Sequence, residues 1–204
     1  MSLIECRICG NRNFDSILIV KEMMFGSGNE YKYYKCSDCG VLQIEEPVED
    51  PKFLYPQLYY SFTSSVKSIK SSLKKNVFKH VVARELGLSF FTNVLKYGES
   101  LEARALKGLI EKETSILDVG AGSGELVEAL FSLGYKKIEG IEPFLHENIE
   151  NDKGWKIRKA FITDLDDERK FDLIMLHHSF EHMENPMEVL EKIKVLLSPK
   201  GKSI

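Results

Sequence analysis

Residues 116–127 read ILDVGAGSGELV. A short apolar run carries Asp118 near its end, glycine recurs at 120, 122 and 124, and ELVEALFSLG then has the spacing of an amphipathic helix stopped by Gly134. Strand, glycine loop and helix in this order make the first turn of a doubly wound α/β fold, where ligands sit at the carboxyl ends of the strands. The spacing argues against two ligands. A triphosphate-cradling loop needs a lysine after its last glycine, and none stands here. A dinucleotide loop needs G-x-G-x-x-G, but the third position falls on Glu125 or Val127, and Glu125 at a helix start repels a pyrophosphate. What remains is G-x-G-x-G with an acid just ahead, an arrangement suited to a ligand carrying a cationic amino group. The second strand, KKIEGIEP, ends in Glu142, whose carboxylate can accept hydrogen bonds from both hydroxyls of a ribose.

Around this unit the chain has the composition of a globular protein of one or two domains: 204 residues, 43% apolar and 29% charged. The net charge is −3, and residues 1–100 carry 13 Lys/Arg against 11 Asp/Glu, the remainder 15 against 20. Nothing matches the strongly basic footprint of a nucleic-acid binder, so a nucleic-acid partner is disfavoured. No apolar run approaches the ~18 residues of a transmembrane helix. The opening MSLIECRICG lacks a basic segment followed by an apolar one, so a cytoplasmic location is expected.

All four cysteines lie in the first 40 residues, as Cys6-x-x-Cys9 and Cys36-x-x-Cys39, each pair followed by glycine. Two such knuckles can set four thiolates tetrahedrally around one Zn²⁺, and the glycines let the chain turn so that backbone N–H groups point at sulfur. Strand-like SILIV and EYKYYK lie between them, the plan of a zinc ribbon. The alternatives are disulfides, which a cytosolic chain disfavours, and a redox pair, which would occur once beside a βαβ unit. Four thiolates close the coordination shell, so the expected metal is structural. A segment this small buries too little apolar surface to fold alone, and structural zinc supplies an apparent ~10–16 kcal/mol to such domains.

EEPVEDPKFLYPQLYY (45–60) reads as an extended, packed linker. Val66, Ile69, Leu73, Val77, Val81 and Leu86 then recur at helical spacing among many lysines. This is either a basic helix touching anionic lipid, a peripheral membrane contact, or, as the preferred reading, a surface helix packed on the next domain with a solvated lysine face. A further helix is expected around SLEARALKGLI. Later, HHSFEHM groups His177, His178, Glu181 and His182 on the turn leaving the strand DLIML. Three readings stand open: a metal site, a loop fixed by hydrogen bonds, and a histidine beside the substrate as general base. The zinc-protease pattern HExxH is absent. Asn185 and Pro186 start a helix whose buried side is expected to be Met187, Val189, Leu190, Ile193, Leu196 and Leu197.

DVGAGSG, GIEP, FDLIMLHHSFEHMENP and VLLSPKG, taken in order, resemble the motifs of class I S-adenosylmethionine-dependent methyltransferases. The resemblance covers residues ~100–204. The front half resembles a subgroup with an amino-terminal zinc ribbon and a Pro/Tyr segment, often linked to sugar or cell-surface polysaccharide modification. The resemblance implies that Asp118 and the loop Gly120, Ala121, Gly122 and Gly124 hold the methionine part of the cofactor. Glu142 with Pro143 would hold the ribose, and Phe161 and Ile162 would line the adenine, with Asp164 the nearest acid after that strand. His177 would join the cofactor set, and His178, then His182, would be the catalytic candidates. Cys6, Cys9, Cys36 and Cys39 would ligate Zn²⁺.

The expected architecture is therefore an α/β, doubly wound Rossmann-like methyltransferase sheet with a small amino-terminal zinc ribbon. Its divisions are 1–45 (ribbon), 46–100 (linker and helical connector) and 101–204 (cofactor domain). Because such folds continue past L-x-P-x-G, the sheet is expected to lack its last strands, as a fragment or a degenerate copy would, leaving an edge prone to self-association. The expected function is methyl transfer to a small molecule, a sugar or a nucleotide- or lipid-linked sugar. The alternatives are a zinc-ribbon RNA methyltransferase, a non-catalytic cofactor-binding or interaction module, and, disfavoured by the loop spacing, a dinucleotide oxidoreductase. Oligomeric state and the methyl acceptor's reacting atom are not legible in the residues.

Overall fold

A computed structural model describes residues 4–23, 26–46, 69–88 and 100–204, with side chains in the first helix from Lys75 onward. The linker at 47–60, Val66 and the side chains of Ile69 and Leu73 lie outside the described residues. Two compact units are formed, Met1–Leu54 with Met183–Leu190, and Tyr55–His182 with Glu191–Ile204.

The front unit is an antiparallel sheet of β1 (Phe14–Lys21), β2 (Glu30–Cys36) and β3 (Leu42–Ile44) in that order. Both strand-like runs between the cysteine pairs are thus strands. The two knuckles match: Gly10 N–H donates to Cys6 O at 2.9 Å and Gly40 N–H to Cys36 O at 3.0 Å, with φ of 74° and 72° that favour glycine. The buried Gln43 joins the first knuckle to β3. Its Oε1 accepts from Arg7 N–H at 3.0 Å and its Nε2 donates to Glu5 O at 3.0 Å, so this buried amide is bonded through both its ends.

After the front sheet the chain forms α1 (Ile69–Glu85), α2 (Leu101–Leu106), β4 (Ile116–Val119), α3 (Glu125–Ser132), β5 (Ile138–Ile141), β6 (Ile149–Glu150), β7 (Lys156–Arg158), β8 (Phe171–Met175), α4 (Pro186–Leu196) and β9 (Leu197–Ser203). The sheet order is β6-β7-β5-β4-β8-β9. All neighbours are parallel except the short edge strand β6, which is antiparallel to β7 and which sequence patterning did not show. The strand order reverses at β4, the switch point that opens a crevice at the carboxyl edge. Alternation along the strands fills both faces. Ile116, Leu173 and Met175 join the core cluster with Val127, Leu130, Ile157 and Val82, while Leu117 and Ile174, paired in register, are fully buried on the other face.

Three expectations are corrected here. LSPKGKS is itself a parallel strand, β9, with Leu173 opposite Lys202 and Ile174 opposite Ser203, so the sheet runs one strand further than the pattern suggested. Gly201 hides this, since a Cβ there would stand 2.8 Å from Phe171 O. In α1 the buried side differs in part from the apolar spacing. Val77 is exposed, whereas its neighbour Phe78 packs on the core and Val82 is fully buried; Leu86, just past the helix, packs on the core as its spacing suggested. In α4 only Val189, Ile193 and Leu196 are buried. These share one face, whereas Met187 and Leu190 lie well round the helix and are exposed, and Leu197 belongs to β9. α1 packs against α3 in the second unit, with Phe78 and Val82 on the core and Lys75 reaching Glu128 of α3 at 2.7 Å. No helix among the described residues is long and apolar enough to cross a membrane.

Candidate functional site

Four loops converge at the carboxyl edge of the sheet. After β4, the N–H groups of Gly120 and Ala121 both donate to Ile141 O, at 2.9 and 3.0 Å. This ties the glycine loop to the neighbouring strand. Gly120, Gly122 and Gly124 all have positive φ, from 55° to 81°. A Cβ at Gly120 would lie 2.5 Å from Ser179 Cβ, and one at Gly124 would lie 2.9 Å from Ile157. Both glycines therefore serve close packing within the protein as well as the turn.

Asp118 is buried at the tip of β4. Burial, then the charges of Glu142 and Glu102, push its carboxyl up to about 7. Glu142 follows β5 and is also buried. Its Oε2 accepts the Gly122 N–H at 3.1 Å and its Oε1 the Phe144 N–H at 3.1 Å, orienting the carboxylate. Burial raises its pKa and those two N–H groups oppose the rise. Each oxygen keeps a second lone pair, so a diol can still be held. Pro143 beside it is half-buried.

After β7, Phe161 is 56% exposed and meets Phe144 edge to face, with ring centroids 6.4 Å apart. Ile162 is buried in a 3-10 turn, and Asp164 Oδ2 accepts the Phe161 N–H at 2.8 Å. Asp164 is thus turned back on its own turn.

After β8, Ser179 Oγ donates to Val119 O at 2.7 Å, clasping the histidine loop to the glycine loop. His178 has φ of 51°, the one positive φ outside glycine among the described residues, a strained conformation that tends to occur at functional positions. Its side chain is exposed, with Nε2 3.9 Å from Glu102 Oε1 and Nδ1 3.8 Å from Glu181 Oε1. His177 is turned inward, and its Nε2 is buried with no hydrogen-bond partner among the described residues. Desolvation lowers its pKa, Glu102 opposes this and His178 adds to it, so His177 is neutral at neutral pH. His182 is exposed in the next 3-10 turn. The described metal-ligand clusters do not include these histidines.

Sequence reasoning missed Glu102, Phe144 and Ser179. Glu102 sits in the first turn of α2, where Ser100 caps the Ala103 N–H at 3.2 Å and donates to Glu102 Oε2 at 2.7 Å. That cap was the available signal. Phe144 and Ser179 carry no local signature, because their partners come from other strands.

In the front unit the four cysteine sulfurs lie within 4.8 Å of one another, with Cys6–Cys39 at 3.6 Å and Cys9–Cys36 at 3.5 Å. All four are free thiols. A tetrahedron with Zn–S of ~2.3 Å has sulfurs ~3.8 Å apart, so the donor set fits Zn²⁺. The Cys39 N–H, followed in weight by opposing desolvation and the supporting Asp38 N–H, holds the Cys36 thiol down to about 6. Cys9, despite the Asn11 N–H, is pushed up to about 12 by desolvation and by the other three thiols. Four thiols this close cannot all ionise without a cation between them.

Buried acids at two adjacent strand tips, a glycine loop between them and aromatic rings beyond line one crevice at the carboxyl edge of a Rossmann-like sheet. The model of the methyltransferase-domain family matches residues 91–204. More than half of the chain is thereby covered, and the chain belongs to that family, in the class of S-adenosylmethionine-dependent methyltransferases. Among solved structures it is similar to a plantazolicin methyltransferase bound to S-adenosylhomocysteine (20% identity, 66% of this chain and 51% of that one, TM-score 0.36). It is similar also to coclaurine N-methyltransferase bound to N-methylheliamine and S-adenosylhomocysteine (16%, 72% and 52%, 0.41). A third is a sugar N-methyltransferase from Streptoalloteichus (14%, 70% and 54%, 0.35). The chain spans about half the length of these relatives. No curated protein matches.

Proposed function

We propose that this chain binds S-adenosylmethionine over the tip of β4 and transfers its methyl group to a small, sugar-derived acceptor, free or linked to a nucleotide or lipid, while Cys6, Cys9, Cys36 and Cys39 hold a structural Zn²⁺. Residues 1–45 then form the zinc ribbon, 46–100 the connector and 101–204 the cofactor domain. The observation that carries the reading is Asp118: a buried carboxyl whose pKa is raised by burial and by two further acids, Glu142 and Glu102. Such a group calls for a bound cation, and an α-ammonium meets that need.

When bound, the cofactor supplies a methyl group already activated on a sulfonium. Asp118 neutralises the ammonium, and Glu142, held by Gly122 and Phe144, grips the ribose diol. Phe144 and Phe161 offer apolar rings to the base. His177 is neutral and turns its unpartnered Nε2 inward as a polar contact for the ligand. His178 takes the proton from an acceptor hydroxyl at its imidazole, and Glu102, 3.9 Å away, stabilises the imidazolium that results. His182 is the second candidate base. Holding donor and acceptor in line supplies much of the acceleration. The sugar acceptor rests on the resemblance of the front half and on the polar mouth formed by His178, Glu102 and Glu181, which suits a polyhydroxylated molecule.

Calorimetry of the full chain with S-adenosylhomocysteine, NAD and RNA in parallel tests the reading. Only the first should bind, and Glu142→Ala should weaken it by about 1.5–3 kcal/mol. Binding of NAD or RNA alone would sink the assignment, and an unchanged affinity would remove Glu142 from the site. Tight binding without turnover on any sugar acceptor would favour the non-catalytic module.

A further inference from the structure

The strand β1, FDSILIVK, is an anomaly. Among the described residues it pairs only with β2, so its outer edge carries free N–H and C=O groups. Its apolar side chains are exposed on both faces: Ile17 60%, Ile19 65%, Leu18 45% and Val20 46%. Among the described residues they form no part of the buried core cluster.

We infer that β1 pairs antiparallel with β1 of a second copy of this chain, making one continuous six-stranded sheet across the two cysteine modules. The strand is complementary to itself in a way that picks the register. With the two-fold axis at Leu18, Ile17 faces Ile19 of the second copy and Ser16 faces Val20, while Leu18 meets Leu18. Asp15 at one end then stands opposite Lys21 at the other, twice per dimer. Apolar cross-strand pairs and opposite charges directly across are each favourable in an antiparallel pair. The strand keeps regular register with β2 from Ser16 to Lys21, and Asp15 lies at the bulge that ends it, so its carboxylate brackets the paired stretch. Lys21 lies 3.9 Å from the exposed Glu30, a contact weak enough to yield.

The charge bracket makes the test specific. Sedimentation of the zinc-loaded full chain at low salt should show a dimer. Asp15→Lys places lysine opposite lysine, and Lys21→Asp places aspartate opposite aspartate, so each variant alone should dimerise about tenfold more weakly or worse. Mixed in equal amounts, the two variants should recover the dimer, because each then presents the charge that the other lacks. Both changes are on the surface, and unchanged zinc content with unchanged circular dichroism establishes that the variants are folded. A wild-type chain that stays monomeric at every concentration leaves this face to some other partner and overturns the proposal. So does a dimer indifferent to both variants, or a mixture that fails to recover.

Discussion

Between residues 4 and 46 the buried side chains among those described are Cys6, Cys36 and Gln43, whereas the parallel sheet shuts Ile116, Leu117, Leu173, Ile174 and Met175 away almost completely. Among its described residues the first region buries no aliphatic or aromatic side chain, and its longest apolar run, on β1, faces solvent. The second has an interior on both sides of a sheet. Apolar burial at roughly 25 cal/mol per Å² can stabilise the sheet but has almost nothing to act on in the cysteine module. There, the proposed coordination by Cys6, Cys9, Cys36 and Cys39 would do what burial does elsewhere. The division also separates the proposed chemistry from the scaffold: Asp118, Glu142 and the glycine loop lie at the carboxyl edge of the sheet.

Removing the proposed Zn²⁺ should break this contrast most violently. A strong chelator, or Cys6→Ser, is expected to unfold residues 4–46, with a loss of about 10–16 kcal/mol of apparent stabilisation. Amides of β4 and β8 should keep their protection, and hydrogen exchange reads both regions in one experiment. Protection lost from the two together would show that they fold as one. The converse experiment is smaller. Leu117→Ala, at a fully buried position, should cost the sheet about 2–5 kcal/mol in urea unfolding and leave zinc content unchanged.

The smallest effect concerns protons. Asp118 titrates at about 7 in the free chain, against an ordinary value of about 4. The folded state therefore holds a proton that the unfolded state has released between those values. Its contribution to stability is complete below pH about 4 and is lost as pH rises through about 7. Ligand binding has the opposite sign, because the ammonium needs the carboxylate. Affinity for S-adenosylhomocysteine should fall by up to about tenfold per pH unit below about 7, or ~1.4 kcal/mol. Asp118→Asn should flatten both profiles, read by thermal melts and by calorimetry. An Asp118→Asn chain that kept the slopes would assign them to another group.

Much of this was legible before any coordinates. The glycine loop, the strands ending near Asp118 and Glu142, and both cysteine knuckles were read from spacing, and each is found where the pattern put it. Positive φ at Gly10, Gly40, Gly120 and Gly124 is a local demand that only certain residues meet cheaply. Burial on helices was read less well. Val77, Met187 and Leu190 are apolar at plausible spacing yet exposed, because helical periodicity defines a stripe only to within about a residue and the neighbour chooses which side of it to cover. The strand at LSPKGKS was missed because Pro199 and Gly201 argue against a strand wherever the partner backbone is unknown.

By itself, then, the sequence determined the local units and the donor types: a strand running into a glycine turn, two acids at consecutive strand ends, and four thiols in two matched knuckles. These depend on residues close along the chain, where backbone sterics and covalent reach leave few options. Only the tertiary structure decided that Glu102 from α2 faces His178 across the crevice, that Phe144 meets Phe161, and that Ser179 fills the space left by the missing Cβ of Gly120. Each of those contacts joins segments far apart in sequence, and which of them meet is set by strand order and register in the sheet, which no single stretch encodes.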